Sequence, residues 1–200
     1  MGNRAGLFAR AVASTVLIAA VTVASAHEAA QTRQTTQGIR VPALLSVSRP
    51  PDALPKGVAE LKFRDVFKLP VGAKGLEPTE TLRKLDGKRV RIVGYMVQSE
   101  TPPRGGFLIS PLPVAAGDED ESLADDIPPS ALLVSLPKGR DAVIPNLPGL
   151  IKLSGTLRVG AYEAAGTERV VPARIELDGD VERAMLRLAK TPPRHTAKPR

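Results

Sequence analysis

Two stretches of alternating apolar residues, each interrupted by a single glycine, most constrain how this chain can fold. The first runs from Leu85 to Val97 (LDGKRVRIVGYMV) and contains Gly94. The second runs from Gly149 to Val159 (GLIKLSGTLRV) and contains Gly155 in the matching place. Alternation predicts a β-strand, and a glycine inside a strand usually marks a bulge or a sharp bend. Strands that bend are typical of small closed barrels, so the two stretches predict two bent strands of one barrel.

The composition of the remaining chain indicates short strands and turns rather than long helices. The 200 residues include 19 Pro and 17 Gly, and there is no Trp. Residues 79–85 and 181–189 have the capping and spacing signals of short helices. The expected fold class is therefore mainly β: a small OB-like barrel of about five to six strands, with one or two short helices and disordered tails. Residues 57–180 are predicted to form the barrel domain.

Both ends of the chain differ from the predicted barrel, and the N-terminal end indicates export. Residues 1–26 resemble a secretory signal peptide, with Arg4 and Arg10 at its start and a small-residue cleavage pattern at its end. Residues 27–56 are polar and then Pro-rich, which predicts a disordered linker, and residues 181–200 are predicted to be a short helix with a basic disordered tail. A cleaved signal predicts a periplasmic or secreted protein, whereas an uncleaved one would anchor it in a membrane.

The residue types present argue against catalysis and against a bound cofactor. The chain has no Cys, which excludes a thiolate metal site and a Cys nucleophile. Its two histidines, His27 and His195, lie near the ends, so the predicted barrel contains no Ser-His-Asp set. Nucleophile-elbow, P-loop and dinucleotide patterns are also missing from the sequence. We therefore expect a non-enzymatic protein with no cofactor.

One face of the first glycine-interrupted strand carries a candidate binding surface. Arg89, Arg91 and Tyr95 occupy alternate positions, which places them on the face opposite the apolar residues. Two guanidinium groups beside an aromatic ring could bind an anion. The alternative interpretation is an outer strand face with ordinary surface charges.

An acidic loop, VAAGDEDESLADDIPP, occupies residues 114–129 and contains no basic residue. Its candidate calcium ligands are Asp118, Asp120, Asp125 and Asp126, because calcium prefers carboxylate oxygens. The run lacks the alternating ligands and the central glycine of an EF-hand loop. There are two alternatives to calcium binding. The acidic loop is solvated, or it contacts a basic surface, either Arg89 and Arg91 of this chain or a basic partner.

Several segments together resemble a known group of proteins. The runs GKRVRIVGYMV, FLISPLP, DDIPP, ALLVSLP and LIKLSGTLRVG resemble exported bacterial proteins with an OB-like barrel, such as the DUF3299-type proteins. The resemblance covers about Leu61 to Leu177 and implies the barrel fold. The DUF3299 pattern places a Cys and a His near residues 125–129, where this sequence has neither. No metal-linked role and no functional residue is therefore transferred.

These observations together predict an exported, non-enzymatic binding or accessory module of the bacterial cell envelope. Its partner would be a protein or another envelope component, because export and the scarcity of aromatic residues argue against nucleic acid. The C-terminal tail could contact an anionic membrane weakly through its charge. Two alternatives are a membrane-anchored accessory subunit of an envelope complex and a calcium-binding protein that uses the acidic loop.

Overall fold

The computed structural model describes residues 39–48, 52–116, 127–164 and 169–190. The predicted signal peptide, the four candidate calcium ligands and the basic C-terminal tail lie outside the described residues. Within the described ranges, no helix is long and apolar enough to cross a membrane.

Six strands make up the sheet, and five of them form a ring. The strands are β1 (Ala59–Glu60), β2 (Arg89–Met96), β3 (Gly106–Ser110), β4 (Leu132–Ser135), β5 (Leu150–Glu163) and β6 (Val170–Leu177). Going around the ring, β2 pairs with β3, β3 with β4, β4 with β6, β6 with β5, and β5 again with β2. Only the β4–β6 pairing within the ring is parallel, and β1 is added in parallel at β2. The mainly β, barrel-like fold is therefore confirmed.

The two glycine-interrupted stretches lie side by side as β2 and β5. They are antiparallel, with Ile92 opposite Leu153, and each glycine lies opposite an apolar residue of the other strand. A Cβ atom at Gly94 would lie 2.8 Å from both the Phe63 ring and the Ser110 carbonyl oxygen. At Gly155 it would overlap the carbonyl oxygen of Glu176. Both positions thus require glycine because another segment approaches the strand closely.

Two short helices accompany the ring. Helix α1 (Glu80–Lys84) begins after Thr79, whose hydroxyl oxygen accepts the backbone N–H of Leu82 at 3.0 Å, as expected of an N-cap residue. Helix α2 (Gly179–Lys190) follows β6 directly and buries Val181, Ala184 and Met185. Single turns of 3-10 helix occur at Ala43–Leu45 and Phe63–Asp65.

The apolar interior is divided into two clusters. The larger one fills the ring and includes Ile92, Leu153 and Ile175. The smaller one lies on the outer face of β3 and β4, since Leu108 and Leu133 alternate with side chains that point inward. Its buried members are Val97, Leu108, Ile127, Ala131, Ala164 and Val171.

The described part of the predicted linker packs against the barrel. Leu45 is fully buried, and Ser46 forms an antiparallel bridge with Ile151 of β5. Residues 39–48 and 52–56 therefore differ from the disordered linker predicted for residues 27–56, because the apolar run around Leu45 packs against the core together with Ile39 and Val41. The domain boundaries themselves stay a prediction.

Candidate functional site

Arg89 and Arg91, predicted as binding residues, are both engaged by acceptors of the same chain. The Arg89 guanidinium contacts the Asp178 carboxylate through two hydrogen bonds, of 2.6 and 3.2 Å, and these bonds raise the pKa of Arg89. Arg91 is only 9% exposed and donates to the Asp52 carbonyl oxygen at 2.9 Å. A second nitrogen of Arg91 lies 3.9 Å from the carboxylate of Glu60.

The carboxylate of Asp52 completes this arrangement. It forms an ion pair with Lys152 of β5 and accepts the hydroxyl of Ser48 at 2.6 Å. The hydrogen bond from Lys152, followed by the one from Ser48, lowers the pKa of Asp52 below its ordinary value of 3.8. A cavity of about 210 Å³, the basic cavity below, lies between these groups and is also lined by Ser154 and Asp180. Because its cations already have anionic or carbonyl partners, this face offers little unmatched positive charge.

Tyr95, the third predicted binding residue, lies apart from the two arginines. It is half-buried at the end of β2, where that strand passes from β5 to β3, and it does not line the basic cavity. Four residues along a strand correspond to about 13 Å, so Arg91 and Tyr95 do not form one compact site.

A second concave surface lies on the outer face of β3 and β4, over the smaller apolar cluster. This loop cleft has a volume of about 130 Å³ and is formed by the β2–β3 loop, β3, β4 and the end of β5. Most of its surface is apolar, with Arg104 and Glu163 at the rim. Apolar lining residues include Pro102, Pro103, Leu108, Ala116, Leu133 and Ala164.

Hydrogen bonds fix the wall of the loop cleft. The Asn146 side chain accepts the backbone N–H of Ser99 at 3.2 Å and donates to its carbonyl oxygen at 2.8 Å. At the other end of the loop, Gly105 donates to the carbonyl oxygen of Ala142 at 2.9 Å. Arg104 donates through one nitrogen to the Asp141 carbonyl at 3.0 Å. The β2–β3 loop is thus tied to the 141–146 segment at both of its ends.

A charged row lies beside the loop cleft on the outer face of β5 and β6. Arg174 lies 2.6 Å from the Glu176 carboxylate, and Arg158 lies 3.5 Å from the same group. The Arg174 guanidinium also lies 4.7 Å from the centre of the Tyr162 ring, a cation–π contact. Arg174 is directly opposite Leu133, which lines the cleft. Two basic groups on one carboxylate leave this row with net positive charge.

The location of the loop cleft agrees with the usual ligand face of OB-like barrels, which is formed by two middle strands and the loops that flank them. Sequence reasoning missed this cleft, because its residues come from five separate segments of the chain, between position 96 and position 164. The one sequence signal was the Pro- and Gly-rich loop between the first two ring strands.

The calcium prediction concerns Asp118, Asp120, Asp125 and Asp126, all outside the described residues. Among the described residues, no group of three or more His, Asp or Glu side chains is arranged to hold a metal ion. The calcium site therefore stays a prediction.

Comparison with known proteins gives one structural likeness. No family model matches this chain, and no curated protein matches it. The structure is similar to the crystal structure of a DUF3299 family protein from Pseudomonas aeruginosa, with a TM-score of 0.37 and 15% sequence identity. The likeness covers 60% of this chain and 92% of the other. The resemblance to DUF3299-type proteins is thus confirmed, and no residue role is taken from it.

Proposed function

We propose that this chain is an exported, non-enzymatic binding module of the bacterial cell envelope whose ligand occupies the loop cleft. The observation that carries the proposal is a concave, mostly apolar surface on the ligand face of an OB-like ring. Ligand sites usually combine such a surface with a few polar groups. The basic cavity is the weaker candidate, because Arg89, Arg91 and Lys152 already have partners within the chain.

The lining of the loop cleft favours an apolar group as the part of the ligand that enters it. Leu108 and Leu133 provide the floor, and Pro102 and Pro103 line the wall. Proline has no backbone N–H to offer a polar ligand, so these positions contribute apolar contact rather than hydrogen bonds. An apolar side chain of a partner protein, or an acyl group of an envelope component, has the matching chemistry.

The fixed wall favours tight binding of a ligand, even though the loop cleft is small. A loop that is ordered before the ligand arrives does not lose its conformational freedom on binding. The two hydrogen bonds between Asn146 and the backbone of Ser99 provide this order and leave the Ser99 side chain unused. Ser99 can therefore be enlarged without removing the bonds that hold the loop.

The test uses the full chain and the fluorescent apolar probe anilinonaphthalene sulfonate. We expect saturable binding to the unchanged protein and its loss in Ser99→Phe, since the new ring would occupy the loop cleft. Ser154→Phe is the matched control, because it places the same ring in the basic cavity. Circular dichroism of each variant establishes that the barrel is retained.

Two results would contradict the proposal. One is the absence of saturable binding to the unchanged protein, and the other is binding of the probe to Ser99→Phe that is as strong as binding to the unchanged protein. Loss of binding in Ser154→Phe alone would assign the probe to the basic cavity instead.

A further inference from the structure

A hairpin of exposed residues extends from the barrel between Phe67 and Pro78. Its two legs are joined by two contacts between Lys68 and Glu77. The backbone N–H of Lys68 donates to the backbone carbonyl of Glu77 at 2.8 Å, and their side chains form an ion pair of 3.2 Å. The turn closes where Gly75 donates to the carbonyl of Gly72 at 3.0 Å. Gly75 has a φ of 78°, a conformation that favours glycine. Every residue from position 68 to position 76 is exposed.

The tip of this 67–78 hairpin concentrates apolar side chains in solvent. Leu69 is 75% exposed, Val71 53% and Leu76 42%. Ten large hydrophobic residues are exposed in the described ranges, and these three fall within eight successive positions. Single exposed apolar residues are normal on protein surfaces, whereas a local cluster usually marks a contact surface.

The charge around the cluster is positive. Lys74 is exposed within the turn itself. The stretch from Lys62 to Lys84, which contains the hairpin and its base, has six basic and three acidic side chains. Four of the six basic groups lie within 4.0 Å of a carboxylate, so among the described residues the positive charge without such a partner is that of Lys74 at the tip and Lys84 in helix α1. The surface that covers the tip must therefore combine an apolar interior with negative charge at its boundary.

We propose that the 67–78 hairpin inserts Leu69, Val71 and Leu76 into the interfacial layer of an anionic phospholipid membrane, with Lys74 at the level of the phosphates. An apolar element flanked by lysines is suited to this layer, where acyl chains and anionic headgroups meet. The long aliphatic stem of lysine allows its ammonium group to stay with the headgroups while the neighbouring residues go deeper. A narrow convex tip also suits a deformable interface better than it suits the flat surface of a folded partner. This contact is separate from the loop cleft and does not depend on its ligand.

The test uses the full chain, whose lack of cysteine allows a single reporter to be placed at will. Ala73→Cys, at the exposed tip, is labelled with an environment-sensitive dye and mixed with phosphatidylcholine vesicles that contain phosphatidylglycerol. We expect a blue shift of the dye emission and quenching by lipids that carry a spin label on the acyl chain. The same dye at Ala161→Cys, an exposed position of β5, should show neither. Because the readout is local, binding by other segments of the chain does not produce it.

A pair of variants assigns the insertion to the apolar side chains. Leu69→Ser combined with Leu76→Ser should raise the lipid concentration needed for half of the blue shift by about tenfold or more. The matched control, Leu112→Ser with Val170→Ser, changes two other exposed apolar residues and should leave that concentration unchanged.

Three outcomes would overturn the proposal. The dye at position 73 could show no shift even where the vesicles bind the protein. It could shift equally with vesicles of phosphatidylcholine alone, which would remove the anionic lipid from the proposal. It could also respond to a purified protein partner and not to vesicles, which would make the tip a protein contact.

Discussion

Removal of the buried carboxylate of Glu182 tests how helix α2 is held against the barrel. Glu182 is 2% exposed, and one of its oxygens accepts the backbone N–H groups of Lys138 and Gly139, at 2.5 and 3.1 Å. The two donors belong to the turn after β4, so this one side chain joins the last helix to the middle of the chain. Glu182→Ala would leave both donors without their charged acceptor.

The expected loss follows from these two hydrogen bonds. A hydrogen bond to a charged group contributes about 1.5–3 kcal/mol, and Lys138 lies near solvent, where water replaces part of that contribution. We therefore expect Glu182→Ala to lower the free energy of unfolding by about 2–4 kcal/mol. Glu182→Gln keeps one acceptor oxygen but loses the charge and replaces the other oxygen by an NH2 group, so its expected loss is smaller, about 1 kcal/mol.

Urea unfolding followed by circular dichroism measures these differences, since the protein has no Trp to report on unfolding. Glu80→Ala is the matched control. Glu80 is an exposed helical residue that forms a 2.6 Å ion pair with Arg83, and such surface pairs contribute about 0.5 kcal/mol. A loss in Glu182→Ala no larger than the loss in Glu80→Ala would refute the assigned role of the buried carboxylate.

Two further predictions concern β2 and the segment packed on β5. Gly94→Ala should lower the free energy of unfolding by about 1–3 kcal/mol, because its Cβ would lie 2.8 Å from the Ser110 carbonyl oxygen. Gly72→Ala, where nothing lies within 4 Å of the added atom, should be close to neutral in the same urea titration. Asp52→Asn tests the ion pair with Lys152 through its pH dependence. Because the pKa of Asp52 is lowered in the folded protein, its ionised carboxylate stabilises the fold at pH values above the ordinary pKa of 3.8. This stabilisation is lost as the pH falls through the lower pKa that Asp52 has in the folded protein. The difference in unfolding midpoint between Asp52→Asn and the unchanged protein should thus be constant near neutral pH and vanish in acid; a difference that persists in acid would contradict it.

The strands and helices with strong local signals could be predicted from the sequence. Alternation and a central glycine predicted β2 and β5, and the structure pairs them residue by residue. Thr79 and the apolar spacing after it predicted α1, which begins at Glu80. In each case the signal lies within about ten consecutive residues, so no knowledge of distant contacts was needed.

The surroundings of the candidate sites could not be predicted in this way. Alternation places Arg91 on the outer face of β2, but its burial results from Asp52 and Glu60, which are more than thirty residues earlier. The loop cleft likewise brings Pro102, Leu133 and Glu163 together only because the ring closes. Sequence alternation decides the face of a strand, whereas tertiary packing decides what covers that face.

The order in which the ring closes has a consequence for the nascent chain. β6, the last strand, lies between β4 and β5, pairing in parallel with one and antiparallel with the other. Until residues 170–177 have been made, both neighbours present unpaired backbone N–H and C=O groups, and open strand edges readily pair with other chains. The barrel therefore cannot be completed while its C-terminal part is still on the ribosome, and a chain cut short before β6 would be a source of aggregation rather than a smaller working module.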